Sequence, residues 1–327
     1  MQTHDKKRSD LPKNQNTQNT RNTQGCNQGY NTVSFLSDFG LADEFVGVVH
    51  GVIVNIAPRV RIVDITHGIT PHDVRAGGLA LARAASYLPA GLVLAVVDPG
   101  VGTSRRAVAV EVGDGSSILV GPDNGLLGPA VALVGGAGRA VELTNKQYQL
   151  PGRDTLGHTF DGRDVFAPAA AHLCMGVPLQ NLGPSIDPAA LVPGVLPVSY
   201  EDGEDLVAEV LWVDRFGNCQ LNLSAEDIAR FGSTIQISTA EELCSAECSP
   251  AYGAIPKGRV GLVIDSTGLA SLAMCGQSAA VKLKLHEGAP VRLRHPTDGQ
   301  LPNTETSSAR KSKAVPVSVS LRADAAV

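Results

Sequence analysis

Apolar positions along the chain follow two different rhythms. From about residue 32 to residue 183, short runs rich in Val, Ile and Leu alternate with longer stretches at helical spacing, which predicts strands alternating with helices. Thr32–Leu36 reads as a strand ending in Ser37-Asp38-Phe39-Gly40. Asp43–Ala57 reads as a helix with Phe45, Val48, Val49, Val52 and Ile56 on one stripe, closed by Pro58. Arg61–Ile65 is a second strand leading into Thr66-His67-Gly68, and Asp73–Tyr87 a second helix. Val93–Val97 has the length and β-branched content of a buried strand. It ends at Asp98, because Pro99-Gly100-Val101-Gly102 can continue neither a helix nor a ladder. Ala107–Val112 and Ile118–Val120 predict a hairpin across Gly113-Asp114-Gly115, and Thr159–Met175 carries a polar loop into an Ala-rich helix.

This alternation predicts an α/β domain over residues 31–195: a mostly parallel sheet with helices on both faces. Asp38, His67, Asp98 and Asp123 then share one sheet edge, where open α/β sheets place their ligands. Beyond Gly183-Pro184 the helix signals give way to Pro, Gly and short alternating runs. Asp205–Val213, Cys219–Leu223, Thr234–Ser238, Arg259–Ile264 and Pro290–Leu293 read as strands of a smaller all-β, barrel-like domain over 196–297. Residues 1–30 are dominated by Asn, Gln, Thr and Lys, and residues 298–327 are similarly polar. Neither tail offers enough apolar surface to offset its ordering entropy, so both are predicted to be disordered.

Composition narrows the function classes. A net charge of −5 argues against a partner bound mainly through phosphates, and 4% aromatic residues do not make a stacking platform for bases. The 43% hydrophobic content suits a Val/Ala-rich core, yet no apolar run is long enough to span a membrane. Six scattered cysteines, with only Cys244 and Cys248 close together, predict free thiols in a reducing compartment. With no signal-peptide pattern at the N-terminus, the expected location is the cytoplasm.

Candidate chemistry gathers at the strand ends. Asp98 closes an interior strand and Arg105 follows in the same turn, which predicts opposite charges held together over a cleft. Singly these loops are ordinary turns and caps. Together, SDFG, DITHGITPHD, VVDPGVGTSRR, VGPDNGLL, TFDGRDVFAPAA and DRFGNCQLN, in this order, resemble the adenosine-forming S-adenosyl-L-methionine (SAM) hydrolases. These are the SAM hydroxide adenosyltransferases, relatives of the SAM-dependent fluorinase and chlorinase. The resemblance covers roughly residues 33–295. It implies a homotrimer binding SAM between subunits, no metal or redox cofactor, and in-line attack of water on the ribose C5′ to expel methionine.

Residue by residue, the resemblance implies that Asp38 binds the ribose hydroxyls and Asp43 the methionine ammonium. Asp98 and Arg105 correspond to the water-handling pair. A carboxylate at position 98 also repels halide, and the halogenases do not keep it, which favours hydrolysis over halogenation. Asp214 and Asn218 match contacts to the methionine carboxylate end and the adenine edge, and Ser266 matches another methionine contact. Phe216, Met274 and Gly276 fall where the family packs adenine; core packing is the alternative for Phe216 and Met274. The departure is at residue 161, where the hydrolase pattern reads TFHGRD and this chain has Asp161. Asp161 either serves as a substitute acceptor, its repulsion with Asp98 making one of the two carboxylates more basic, or leaves a protein that binds SAM or adenosine with little turnover. His158, three residues away, points to the opposite face of an extended segment and does not replace it. A metal-dependent phosphohydrolase built on Asp38, His67, His72, Asp98, Asp123 and Asp161 is a rival reading.

Overall fold

The computed structural model describes residues 29–152 and 157–296, together with the backbone of residues 314–317. The N-terminal sheet is formed by β1 (Thr32–Ser37), β2 (Arg61–Thr66), β3 (Leu92–Val96), β4 (Ala107–Val112), β5 (Ser117–Pro122), β6 (Ala137–Glu142) and β7 (Ser185–Ile186). Their order is β2-β1-β3-β5-β4-β6-β7. The first four positions in that order are mutually parallel, and β4, β6 and β7 add antiparallel pairings at the other side. The predicted hairpin is present as β4 and β5, and it returns β5 to the side of β3.

Every residue of β3 is buried, because both faces of the sheet are covered. Leu92, Leu94 and Val96 join one core with α1 (Phe45–Ile56) and, later in the chain, the Ala-rich α4 (Ala167–Cys174). Val93 and Ala95 join the opposite core with α2 (Val74–Ala85) and α3 (Gly128–Leu133). Of the stripe read for α1, Val49 is buried and Val52 and Ile56 pack against the first of these cores, with Val46 and Ile53 completing the buried face; Phe45 departs from it and turns outward. The cause is a second aromatic surface that competes for Phe45, described below.

Sheet membership changes between β7 and β9 (Tyr200–Asp202), with β8 (Gly194–Pro197) lying between them. The C-terminal strands are β10 (Asp205–Val213), β11 (Cys219–Ser224), β12 (Thr234–Ser238), β13 (Leu243–Cys248), β14 (Val260–Ile264), β15 (Leu269–Met274) and β16 (Pro290–Arg294). They run β11-β15-β14-β13-β12-β16-β10, and the further pairing of β10 with β11 closes a seven-stranded barrel; β9 adds to β10 outside the closure. Closure removes sheet edges and lets a small domain bury its apolar face inward. The strand read from Pro290 is present. β13 is unread in the pattern because Leu243-Cys244-Ser245-Ala246-Glu247-Cys248 carries no β-branched residue.

Most residues of the two predicted disordered tails lie outside those described. Residues 314–317 depart from the expectation: they form β17 (Ala314–Val317), paired antiparallel with β8. Backbone hydrogen bonding along β8 holds a segment that composition alone reads as unstructured. Among the described residues, no helix is long and apolar enough to cross a membrane.

Cys174, Cys219, Cys244, Cys248 and Cys275 are free thiols. Burial pushes the Cys174 thiol up to about 12, and burial with the nearby Asp214 carboxylate does the same to Cys219. Cys248 is exposed. Iodoacetamide at pH 8 is therefore expected to label Cys248 at least about 100-fold faster than Cys174 or Cys219, because thiolate, not thiol, reacts. Peptide mass spectrometry of the folded protein reads this directly, and equal labelling would contradict the burial.

Candidate active site

β3 delivers Asp98 to the sheet edge on a rigid, fully buried strand, and Asn124 Nδ2 donates to Val97 O at 2.9 Å to fix the strand end. The following turn is tight: Val101 N donates to Asp98 O at 3.2 Å, and Thr103 bonds Gly100 O through both N (3.1 Å) and Oγ1 (2.7 Å). The loop thereby folds Arg105 back over Asp98. Arg105 Nε donates to Asp98 Oδ1 at 2.8 Å and Oδ2 at 3.1 Å, and Nη2 also donates to Asp98 Oδ2. The same Nη2 donates to Asp161 Oδ2 at 2.6 Å. One guanidinium thus bridges two buried carboxylates, with its Cζ 5.1 Å from the centre of the Phe166 ring. Burial alone would lower Arg105, but its bonds to Asp98 and Asp161 outweigh this and hold it above its ordinary range.

Asp161 stands at the head of a π-type turn, Gly162–Phe166, that leads into α4. Such turns are concentrated at functional positions because they re-aim side chains. Gly162 suits this position, since a Cβ would lie 3.0 Å from the Phe39 ring and press on it. Phe39, Phe45 and Phe160 form an aromatic triangle beside the cluster, with ring centres 5.9, 5.6 and 5.1 Å apart. This triangle is what draws Phe45 off the expected core stripe. Sequence reading missed it, although each Phe sits within two residues of a candidate acid.

Asp38 follows β1, and its Oδ2 accepts a hydrogen bond of 2.8 Å from the backbone N–H of His72, a residue with φ 69°. It does not cap α1, which starts at Phe45 without a side-chain cap. Asp43 is exposed just ahead of that helix and makes no hydrogen bond among the described residues. Asp123 is committed to the fold: Oδ2 accepts from Arg106 Nε (2.9 Å) and Nη2 (2.6 Å), and Oδ1 from Val192 N (2.8 Å). The six residues of the rival metal reading are therefore not brought together. Asp98 and Asp161 hold a guanidinium, Asp123 holds another, and His67 turns away toward Asp64.

In the barrel, the Asp214-Arg215-Phe216-Gly217-Asn218 loop joins β10 to β11. Asp214 Oδ1 accepts from Phe216 N and Asn218 N, each at 2.9 Å, and Oδ2 from Asn218 Nδ2 at 2.7 Å. The left-handed residue of this turn is Gly217 (φ 82°). A Cβ at Gly217 would lie 2.0 Å from Ser278 Oγ, so glycine is needed for conformation and for close approach. The knot of bonds presents Phe216 to solvent, 77% exposed, which corrects the core alternative for it. Ser266 is exposed in the β14–β15 loop, shaped by Asp265, whose Oδ1 accepts from Thr267 N and Oγ1 and whose Oδ2 accepts from Gln220. Met274 is buried in the barrel core, which corrects its expected place against adenine. Gly276 is an exposed turn residue with φ 67°.

The two groups of residues sit at opposite ends of α2. Near its start, Asp38 meets His72, and Arg75 pairs with the buried Glu209 of β10. Near its end, Arg83 lies over Trp212 of β10 at 4.3 Å, with Asp265 close enough to act on its charge. Asp214 lies beyond Trp212 along β10. From Arg75 to Arg83 the helix rises about 12 Å, which sets apart the backbone positions from which these two sets of contacts are made.

A three-layer α/β domain with a carboxylate–guanidinium–carboxylate bridge at its strand ends, joined to a closed seven-stranded barrel, defines the class of this protein. Residues 33–183 match the family model of the SAM hydroxide adenosyltransferase N-terminal domain, and residues 208–292 that of its C-terminal domain. The chain belongs to the SAM hydroxide adenosyltransferase family. It is 44% identical over 261 residues to the (R)-S-adenosyl-L-methionine hydrolase of Salinispora tropica, covering 80% of this chain and 97% of that protein. The enzyme of the same name from Thermus thermophilus is 41% identical over 270 residues, 80% and 98% of the two chains. A fluorinase of Actinopolyspora mzabensis is more distant, at 28% over 294 residues, 80% and 96% of the two chains. Among solved structures, an uncharacterized conserved protein from Thermotoga maritima superposes with a TM-score of 0.73 at 31% identity, covering 80% of this chain and all of that one.

Proposed function

We propose that this protein hydrolyses SAM to adenosine and L-methionine by in-line attack of water on the ribose C5′. The observation that carries the reading is the Arg105 bridge between Asp98 and Asp161. The leaving group is a neutral thioether departing from a sulfonium, so no acid has to assist it; the barrier lies in positioning and activating the nucleophile. Asp98 is a fixed acceptor for a proton of the attacking water, and Arg105 stabilises the hydroxide character that develops. Asp161 occupies the position of the family's imidazole and, through Arg105, keeps the bridge aligned. The reaction draws on no metal or redox cofactor.

Asp38 is assigned to the ribose diol through Oδ1, since Oδ2 is held by His72. Asp43 is assigned to the methionine ammonium, and Asn218, Ser266 and Phe216, on the loop that Asp214 shapes and its neighbour, to the methionine carboxylate and adenine. Because these groups lie at opposite ends of α2, a complete site draws its two halves from different copies, which supports a homotrimer with sites between subunits. Mixing unfolded Asp98→Ala and Asn218→Ala chains in equal amounts and refolding them is expected to restore about a quarter of the native activity, the fraction of sites with both halves intact. A site complete within one chain would give none.

The direct test of the activity is incubation with SAM in ¹⁸O-labelled water, with chloride and EDTA present, followed by mass spectrometry. Labelled adenosine and free methionine are expected. Asp161 in place of an imidazole also favours a second reading, a SAM-binding protein with little turnover, for which bound, unreacted SAM would be the outcome. Halogenated adenosine would instead indicate halide as nucleophile.

A further inference from the structure

We propose that His50, Asp64 and His67 bind one divalent transition-metal ion of the zinc class at the edge of the N-terminal sheet, apart from the SAM-hydrolysing centre. His50 comes from α1, Asp64 from β2 and His67 from the turn after β2. His50 Nε2 and His67 Nε2 approach the same carboxylate oxygen, Asp64 Oδ1, at 2.9 and 3.1 Å. All three atoms lie within 4.8 Å of one another. A tetrahedral ion with bonds of about 2.0–2.1 Å sets its ligand atoms about 3.3 Å apart, so the trio needs shifts of only a few tenths of an ångström on the two measured edges.

A second observation points to a ligand. His67 is 5% exposed, and its Nε2 is shut off from solvent and makes no hydrogen bond among the described residues: the 3.1 Å approach to Asp64 Oδ1 lacks hydrogen-bond geometry. A buried imidazole nitrogen with no partner is costly. The other ring nitrogen, Nδ1, lies 2.8 Å from Ser37 Oγ, and the ring packs edge-on against Phe35 at 4.6 Å. Donation from Nδ1–H to Ser37 places the lone pair on Nε2, aimed at the trio, and this is the outer-sphere arrangement that metal-binding histidines use. Two neutral imidazoles and one carboxylate form a nitrogen-rich set that suits zinc, cobalt or nickel over the oxygen-seeking magnesium and calcium. His50 and Asp64 are partly open to water, which gives the ion an entry path and a fourth ligand.

The ion would tie α1 to the edge strand β2 and, through Ser37, to the end of β1 that carries Asp38. It is a structural clamp, since β1 separates β2 from the strand that bears Asp98. The test uses the full chain stripped with EDTA and titrated with Co²⁺ and Zn²⁺. Expected are one equivalent per chain, a tetrahedral cobalt absorption band displaced by zinc, and a rise of about 5 °C in the thermal midpoint with zinc. His50→Gln and Asp64→Asn, both at partly exposed positions, are each expected to weaken binding at least about tenfold. X-ray absorption of the zinc-loaded native protein, which needs no variant, is expected to show nitrogen and oxygen neighbours with imidazole scattering. Absence of stoichiometric binding, a sulfur shell, or unchanged affinity in both variants would overturn the site.

Discussion

Replacing Asp98 with alanine is expected to lower the rate of methionine release by about 10²–10⁴-fold while leaving SAM affinity within about threefold of native. The expectation follows from placement. Asp98 stands at the end of a fully buried strand, its carboxylate is almost wholly enclosed, and three hydrogen bonds from Arg105 fix its orientation. Asp161 does not take over, because its carboxylate reaches the bridge from a different element, the π-type turn before α4, where Arg105 Nη2 holds its Oδ2. Folding survives the change, since Arg105 retains Asp161 as a counter-ion. Single-turnover methionine release, paired with calorimetric SAM binding, separates the two effects. Native-like turnover in Asp98→Ala would remove this carboxylate from the mechanism.

Loss of Arg105 is expected to be the most damaging change to the folded state. Arg105→Ala leaves the buried carboxylates of Asp98 and Asp161 without the cation that bridges them, and breaking a buried pair in this way costs about 3–5 kcal/mol. Arg105→Lys is expected to recover only part of this. A single ammonium cannot reproduce the fork that donates through Nε and Nη2 to Asp98 while reaching Asp161. Urea unfolding of native, Arg105→Ala, Asp98→Ala and the double variant forms a double-mutant cycle. The double variant is expected to be more stable than Arg105→Ala, because one of the two buried carboxylates has gone with the shared cation. If all the midpoints coincide, the bridge is not a buried electrostatic unit.

Much of the fold is readable from the order of residues, and the reasons are local. The apolar runs of the strands, the Ala-rich helices and the Pro-Gly turns are set by interactions within a few residues, so β1, β3, the β4–β5 hairpin and the barrel strands β10, β11, β12, β14 and β16 emerge close to where the structure places them. Strand-end acids follow from the same logic. The failures are equally physical. Phe45 has the spacing of a core residue and is taken out of the core by Phe39 and Phe160, which the sequence period cannot register. Met274 looks like a pocket residue by motif and is a core residue by barrel closure. Asp123 reads as a site acid, but a nearby arginine and a backbone amide 69 residues away claim both of its oxygens.

By itself, then, the sequence determines the alternation of strands and helices, the change to a barrel-like second half, and the acids and glycines that mark the strand ends. Which of those groups meet is decided only by tertiary structure. Arg105 and Asp161 are 56 residues apart and Ser37 and His67 are 30 apart, and their contacts depend on the order in which strands enter the sheet. That order is a property of closed, packed layers, in which burial on both faces of β3 leaves each loop one place to go. Short-range conformational preference writes the elements; long-range packing chooses that one guanidinium shall hold two carboxylates, and that two imidazoles shall face one.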